Sequence, residues 1–135
     1  MAARYLLDTN TASYAIKGNV PSVRQRLQKC APSEVAISVI TEAELRFGVL
    51  RLSGAKRLAF VVEEFLRFID IRAWDSEAAE SYARLRASIE RAGRPMGNLD
   101  LMIAAHSLAL GTTLVSSDHV FGRLKDLKLE DWSRL

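Results

Sequence analysis

The sequence predicts a single α/β domain, a three-layer sandwich in which helices flank a central, mainly parallel sheet. Three observations predict it. Short apolar, β-branched runs alternate with longer stretches of helical periodicity, the order that builds parallel sheets. The 135 residues are 49% hydrophobic and 26% charged, with 7 Gly and 3 Pro, a composition suited to one compact core. No internal repeat, low-complexity segment or Pro/Gly/Ser-rich linker marks a boundary, so one domain is expected over residues 1–135.

Arg4-Tyr5-Leu6-Leu7 reads as a short buried strand that ends at Asp8, with Asn10 or Thr11 placed to cap the helix after it. Gly18-Asn19 breaks that helix, Pro21 starts another over about 20–29, and Ala31-Pro32-Ser33 breaks the chain again. Val35-Ala36-Ile37-Ser38 is the second strand. Helical spacing follows over about 40–51, with Ser38 or Thr41 as cap. It resumes over about 55–68, where Leu58, Val61, Val62, Phe65 and Leu66 share a face, so a helical hairpin turns at Ser53-Gly54. Ile69-Asp70-Ile71 returns to the sheet. Asp75 opens a helix striped by Ala78, Tyr82, Leu85 and Ile89, and Gly93 closes it ahead of Pro95. From Asn98, the residues Leu101, Ile103, Ala104, Ala105 and Leu108 make a helix too apolar for the surface, which Gly111 ends. Residues 112–116 form a β-branched strand, Ser117-Asp118 opens a last short helix, and Leu127-Lys128-Leu129 adds an edge strand.

Composition also excludes several classes. The longest apolar stretches, near 35–40 and 101–110, fall well short of the roughly 18 residues that span a bilayer, so no membrane association is expected. Tyr5-Leu6-Leu7 is too short for a signal peptide, and the single thiol, Cys30, permits no disulfide framework; both suit a cytoplasmic protein. The net charge of +3 says little by itself, but 14 of the 19 cations are Arg, whose planar fork suits phosphate. Pairs such as Arg24 and Arg26, or Arg91 and Arg94, fit either a nucleic-acid surface or solvated helix faces.

Ligands of open α/β sheets bind beyond the carboxyl ends of the strands. Four acids fall there: Asp8 after the first strand, Glu44 early in the helix after the second, Asp100 at the start of the buried helix, and Asp118 after the 112–116 strand. Each alone is an ordinary helix cap or dipole partner. If they converge, the like charges require a cation among them, and all-oxygen ligands select a hard ion such as Mg²⁺ or Mn²⁺. Such an ion serves phosphoryl chemistry, since it binds a phosphate oxygen and acidifies a bound water.

Leu7-Asp8-Thr9-Asn10, the segment from Ile37 to Gly48 with its Ala43-Glu44-Leu45-Arg46 core, Asn98-Leu99-Asp100 continuing to Ile103-Ala104-Ala105-His106, and Leu114-Val115-Ser116-Ser117-Asp118 together resemble the four motifs of PIN-domain ribonucleases. Within that superfamily the chain is most similar to VapC toxins of bacterial toxin–antitoxin pairs, down to Leu129-Glu130-Asp131-Trp132. The resemblance implies a PIN-like sandwich and a metal-dependent endoribonuclease with Asp8, Glu44, Asp100 and Asp118 as its acids. Asp8 and Asp100 are then the direct metal ligands, Asp118 binds directly or through water, and Glu44 orients or deprotonates the attacking water. Glu42 competes for the second motif, but the family acid directly precedes Leu, which assigns the role to Glu44. Thr9, Asn10 and Ser116 are candidates to hold the carboxylates by hydrogen bonds, or else serve only capping and turns.

Arg46 is expected either to meet phosphate or steady Glu44, or to be a surface cation. His106, about 120° around the helix from Asp100, reads as a satisfied core histidine. Trp74 and Trp132 read as packing. The resemblance further implies structured RNA as substrate, with tRNA cut in its anticodon stem-loop favoured over ribosomal RNA. It implies a VapB-like antitoxin, operator DNA bound only through that antitoxin, and a homodimer, for which the apolar face of 55–68 is a candidate surface. Outside the four acids nineteen cations face twelve acids, an excess able to hold RNA. Two rivals stand beside this reading. Leu6-Leu7-Asp8-Thr9-Asn10-Thr11 partly mimics the loop of haloacid-dehalogenase-like phosphatases, although Asn10 replaces the second acid, and a catalytically idle binding module would keep the fold without turnover.

Overall fold

The computed structural model describes residues 3–134. Five short strands, β1 (Tyr5–Leu7), β2 (Val35–Ser38), β3 (Asp70–Arg72), β4 (Thr113–Val115) and β5 (Leu129–Glu130), form one sheet in the order β3-β2-β1-β4-β5. All four pairings are parallel, so the expected mainly parallel sheet is wholly parallel here. Six helices cover it: α1 (Thr9–Lys17), α2 (Pro21–Gln28), α3 (Val39–Leu50), α4 (Lys56–Phe68), α5 (Ser76–Arg91) and α6 (Asn98–Leu110). Short 3₁₀ turns occupy Pro32–Glu34 and His119–Arg123.

Alternation along the strands makes two cores. Tyr5 and Leu7 join Val35, Ile37 and Val115 beneath α1 to α4, where Val23, Leu45, Val62 and Leu66 close over them. Leu6, Ala36 and Leu114 face the other way, toward Ile89 of α5 and Leu101, Ile103 and Ala104 of α6. Burial on both faces explains why the strands read as unbroken apolar runs. It also explains why α6, buried at Leu101 and from Ile103 to Ser107, lacks a polar face there.

The chain builds β1, β2 and β3 outward in one direction, then returns to lay β4 on the free side of β1. This reversal opens a crevice at the carboxyl ends of β1 and β4, the place where parallel sheets bind ligands. α1 is stopped by Gly18, whose φ of +69° suits glycine and whose added Cβ would stand 2.6 Å from the Arg24 guanidinium. Arg24 occupies that space because its Nε and Nη2 donate to the carbonyls of Ala15 and Ile16, 2.9 and 3.1 Å away.

Two expectations need correction. Asp8 itself, not Asn10 or Thr11, caps α1: its N–H still donates to Val115 in the sheet while its carboxylate accepts from Thr11 N, so helix follows strand without a loop. The apolar stripe of α4 is spent on the chain's own core, with Val62 and Leu66 buried and Leu58, Val61 and Phe65 packed against them. That stripe is therefore no free dimer surface. The hairpin exposes Phe47 and Leu50 of α3, with Phe60 and Phe68 of α4, instead.

Candidate active site

Asp8 and Asp118 flank the crevice, and Ser116 between them ties the two together. The Ser116 oxygen accepts the Asp118 N–H at 3.0 Å, and the same hydroxyl stands near enough to Asp8 to act against the rise of its carboxyl pKa. Asp8 also accepts from Thr11 N at 2.8 Å, and Asp118 from Val120 N at 3.0 Å, so both acids cap the segment that follows. One oxygen of each is thereby oriented. Asp8 is buried and Asp118 exposed, which places one acid at the bottom of the crevice and the other at its rim.

Glu44 reaches the crevice from the second turn of α3, and Thr9, the first residue of α1, holds it. Thr9 Oγ1 donates to Glu44 Oε1 at 2.6 Å and lies 3.3 Å from the buried Thr41 hydroxyl. Asp100 stands in the first turn of α6, half-buried, and among the described residues it receives no hydrogen bond.

Burial raises the Asp8 carboxyl above the ordinary carboxylate range, against the opposing hydrogen bonds of Ser116 and Thr11, and the Asp118 charge adds to the rise. Asp100 is raised too, by burial first and then by the charges of Asp118, Asp8 and Glu44. All four acids therefore share one electrostatic neighbourhood, and among the described residues none of them enters an ion pair.

Among the described residues no three His, Cys, Asp or Glu side chains draw close enough to form a closed metal cage. An all-oxygen donor set with uncompensated charge nevertheless fits a hard divalent ion that retains several waters, which needs only one or two carboxylates directly.

Other candidates separate from this group. Asn10, one residue along α1 and so about 100° around it, is exposed and bonds to none of the four acids; it lines the groove beyond Glu44 instead. Arg46 takes the surface alternative: it pairs with Glu42 at 2.9 Å and with Glu63 across the α3/α4 hairpin, so it neither steadies Glu44 nor faces the crevice. Glu42 is thus accounted for. His106 is fully buried with Nδ1 2.8 Å from Ser38 Oγ, joining α6 to the cap of α3, and burial lowers its pKa toward the neutral form. Among the described residues its Nε2 meets no hydrogen-bond partner. Trp74 Nε1 donates to Met102, and Trp132 is buried, both as packing residues.

Sequence reasoning missed the groove that leaves the crevice at Thr9 and Glu44. It holds about 270 Å³ between α1, α3 and α4, is floored by apolar residues including Ile16, Leu45 and Val62, and is lined by Lys17, Gly48 and Arg51. The available signal was Gly48, four residues after Glu44 inside a helix. A larger cleft of about 350 Å³, between α5, α6 and residues 123–127, contains none of the four acids.

Comparison with known proteins agrees with this geometry. The model of the PIN domain matches residues 5–127. The chain is 35% identical over 131 residues to the tRNA(fMet)-specific endonuclease VapC of Shigella flexneri, covering 96% of this chain and 98% of that protein. It is 34% identical to Ribonuclease VapC2 of Rickettsia felis, with the same coverage. Among solved structures, DNA-bound VapBC from Salmonella typhimurium matches with a TM-score of 0.90 at 33% identity, over 96% of this chain and 98% of that one. VapBC2 from Rickettsia felis bound to a promoter DNA fragment matches with a TM-score of 0.87 at 33% identity, over 95% and 98%.

Proposed function

Because this chain belongs to the PIN-domain family, and within it to the VapC ribonucleases, we propose that its acidic crevice cleaves RNA with the help of a divalent cation. The observation that carries this is Asp100: three further carboxylates act on its charge, and among the described residues none of the four acids enters an ion pair. Asp8 and Asp100 are the residues that would hold the ion directly, with Asp118 direct or through water. When bound, such an ion acidifies water and neutralises charge developing on phosphate oxygens.

The protein's own part is positioning. Glu44, fixed by Thr9, orients the attacking water and accepts its proton. Ser116 keeps Asp8 and Asp118 in register across the crevice. Water attacks phosphorus, the bond to the 3′ oxygen breaks, and that oxygen takes a proton, leaving a 5′-phosphate and a 3′-hydroxyl.

Mg²⁺ is the first choice of ion and Mn²⁺ the second, since both accept oxygen ligands. The substrate proposed is structured RNA, with tRNA cut in its anticodon stem-loop favoured, in keeping with the name of the Shigella relative. The partners proposed are a VapB-like antitoxin, operator DNA reached through that antitoxin as in the DNA-bound VapBC structures, and a second copy of this chain. No helix among the described residues is long and apolar enough to cross a membrane.

The test is to incubate antitoxin-free protein with total tRNA in Mg²⁺ or Mn²⁺, beside EDTA and Asp8→Asn controls. Discrete fragments that disappear in both controls are expected. Intact tRNA and ribosomal RNA with folded, metal-supplied protein would leave a catalytically idle binding module.

A further inference from the structure

Gly48 is a residue the fold does not need. A glycine inside a helix costs about 1 kcal/mol relative to alanine, and two structural reasons ordinarily justify one. Neither applies: Gly48 is not among the positive-φ glycines, and a Cβ built on it meets nothing within 4 Å. It lies one helical turn beyond Glu44 on the same face of α3, so a side chain there would project into the groove that leaves the active site.

The far end of the groove is as telling as its start. Lys17 closes α1 and Arg51 caps α3, both are exposed, and among the described residues neither enters an ion pair. The groove therefore joins Glu44, the one of the four acids that lines it, an apolar floor, and two exposed cations, of which Arg51 also lies over the Phe47 ring, 6.0 Å from its centroid. Its volume of about 270 Å³ is near the lower bound of small-ligand sites, roughly 300 Å³, too small for a duplex.

We propose that this groove seats one unpaired nucleotide of the RNA strand, the neighbour of the scissile phosphate. Its base and ribose lie over the floor at Leu45 and Val62, and its outer phosphate sits between Lys17 and Arg51. Gly48 sets the room available and is thus a specificity-determining position. This rests on the nuclease reading above and adds the subsite that selects single-stranded substrate; unpaired loops are the form of RNA whose bases are free to enter such a site.

Gly48→Leu, Gly48→Ala and Lys17→Ala/Arg51→Ala separate the possibilities once thermal melts show each variant folded. Binding is read by fluorescence anisotropy of an RNA hairpin with a labelled loop in the Asp8→Asn background, and turnover in the active background. Gly48→Leu is expected to raise Kd and KM about tenfold while kcat changes less than about twofold, with Gly48→Ala intermediate. The Lys17/Arg51 variant should weaken binding and lower the slope of log Kd against log salt by about 0.7, the loss of one single-strand phosphate contact. Unchanged Kd, KM and salt slope would overturn the proposal, and so would variants that lose only inhibition by the antitoxin, since the groove would then be a peptide site. Failure of the parent protein to cleave any RNA would instead overturn the nuclease reading, while the binding assay still reads the groove.

Discussion

Two groups of carboxylates stand along the carboxyl edge of one sheet, and their protons are held in opposite ways. Asp8 and Asp100, at the crevice beside β1 and β4, are raised above the ordinary carboxylate range by burial and by one another's neighbours. Glu130 and Asp131, at the end of edge strand β5, are lowered. Glu130 accepts from Trp132 Nε1 at 3.0 Å and Arg26 Nη2 at 2.8 Å, and Asp131 accepts from the Ser133 hydroxyl and N–H. Arg26 also lies over the Trp132 ring, 4.9 Å from its centroid. The β5 corner is electrostatically complete within the chain. The crevice is not: among the described residues none of its acids enters an ion pair, which is what leaves room there for the cation proposed above.

The largest effect should come from completing the crevice artificially. Asp100→Asn and Asp8→Asn remove charge at nearly constant shape, and Asn still caps α1 at position 8. Cleavage should fall by about 10³-fold or more in single-turnover assays. In EDTA at pH 7 the same variants should melt above the parent protein. The sign follows from linkage: an acid whose folded pKa is raised binds protons more tightly when folded, so its contribution to stability falls as pH rises from the unfolded pKa through the folded one. A melt of either variant at or below the parent would break the contrast.

A smaller effect tests how the crevice is held. Thr9→Val deletes the bond to Glu44 without touching any proposed ligand. A fall in kcat of about tenfold with little change in KM is expected, roughly the worth of one hydrogen bond to a charged group.

The smallest effect lies at the β5 corner. Glu130→Gln should cost about 0.5–1 kcal/mol by chemical denaturation, because the Arg26 pair is partly exposed, and should leave RNA cleavage unchanged. Its contribution has the opposite pH sense, present above the unfolded carboxyl pKa and lost as pH falls through the depressed folded one. A change in cleavage would extend the active site one strand further, from β4 to β5.

Much of this was legible in the residues alone. Strand-ending acids and capping residues are local signals, so the elements around Asp8, Ser38, Asp75 and Asp118 fall close to where sequence puts them. Less legible was which end of a local pair serves which role: Asp8 is at once cap and candidate site acid, and Asn10 turns away because the helix begins at least two residues earlier than expected. The groove left only Gly48 as a trace in the sequence, since Lys17, Gly48 and Arg51 come from two helices that only tertiary packing brings together.

By itself, then, the sequence determined the alternation of strand and helix and placed four acids at strand ends and helix starts, because periodicity, capping and residue chemistry act over a few neighbouring positions. Only the tertiary structure decided which charges are neutralised. Arg46 finds Glu63 across a helical hairpin, Arg26 finds Glu130 from the opposite end of the chain, and among the described residues Asp100 enters no ion pair. Coulombic pairing depends on distance in space, and burial of the strands and helices, not their order along the chain, sets that distance.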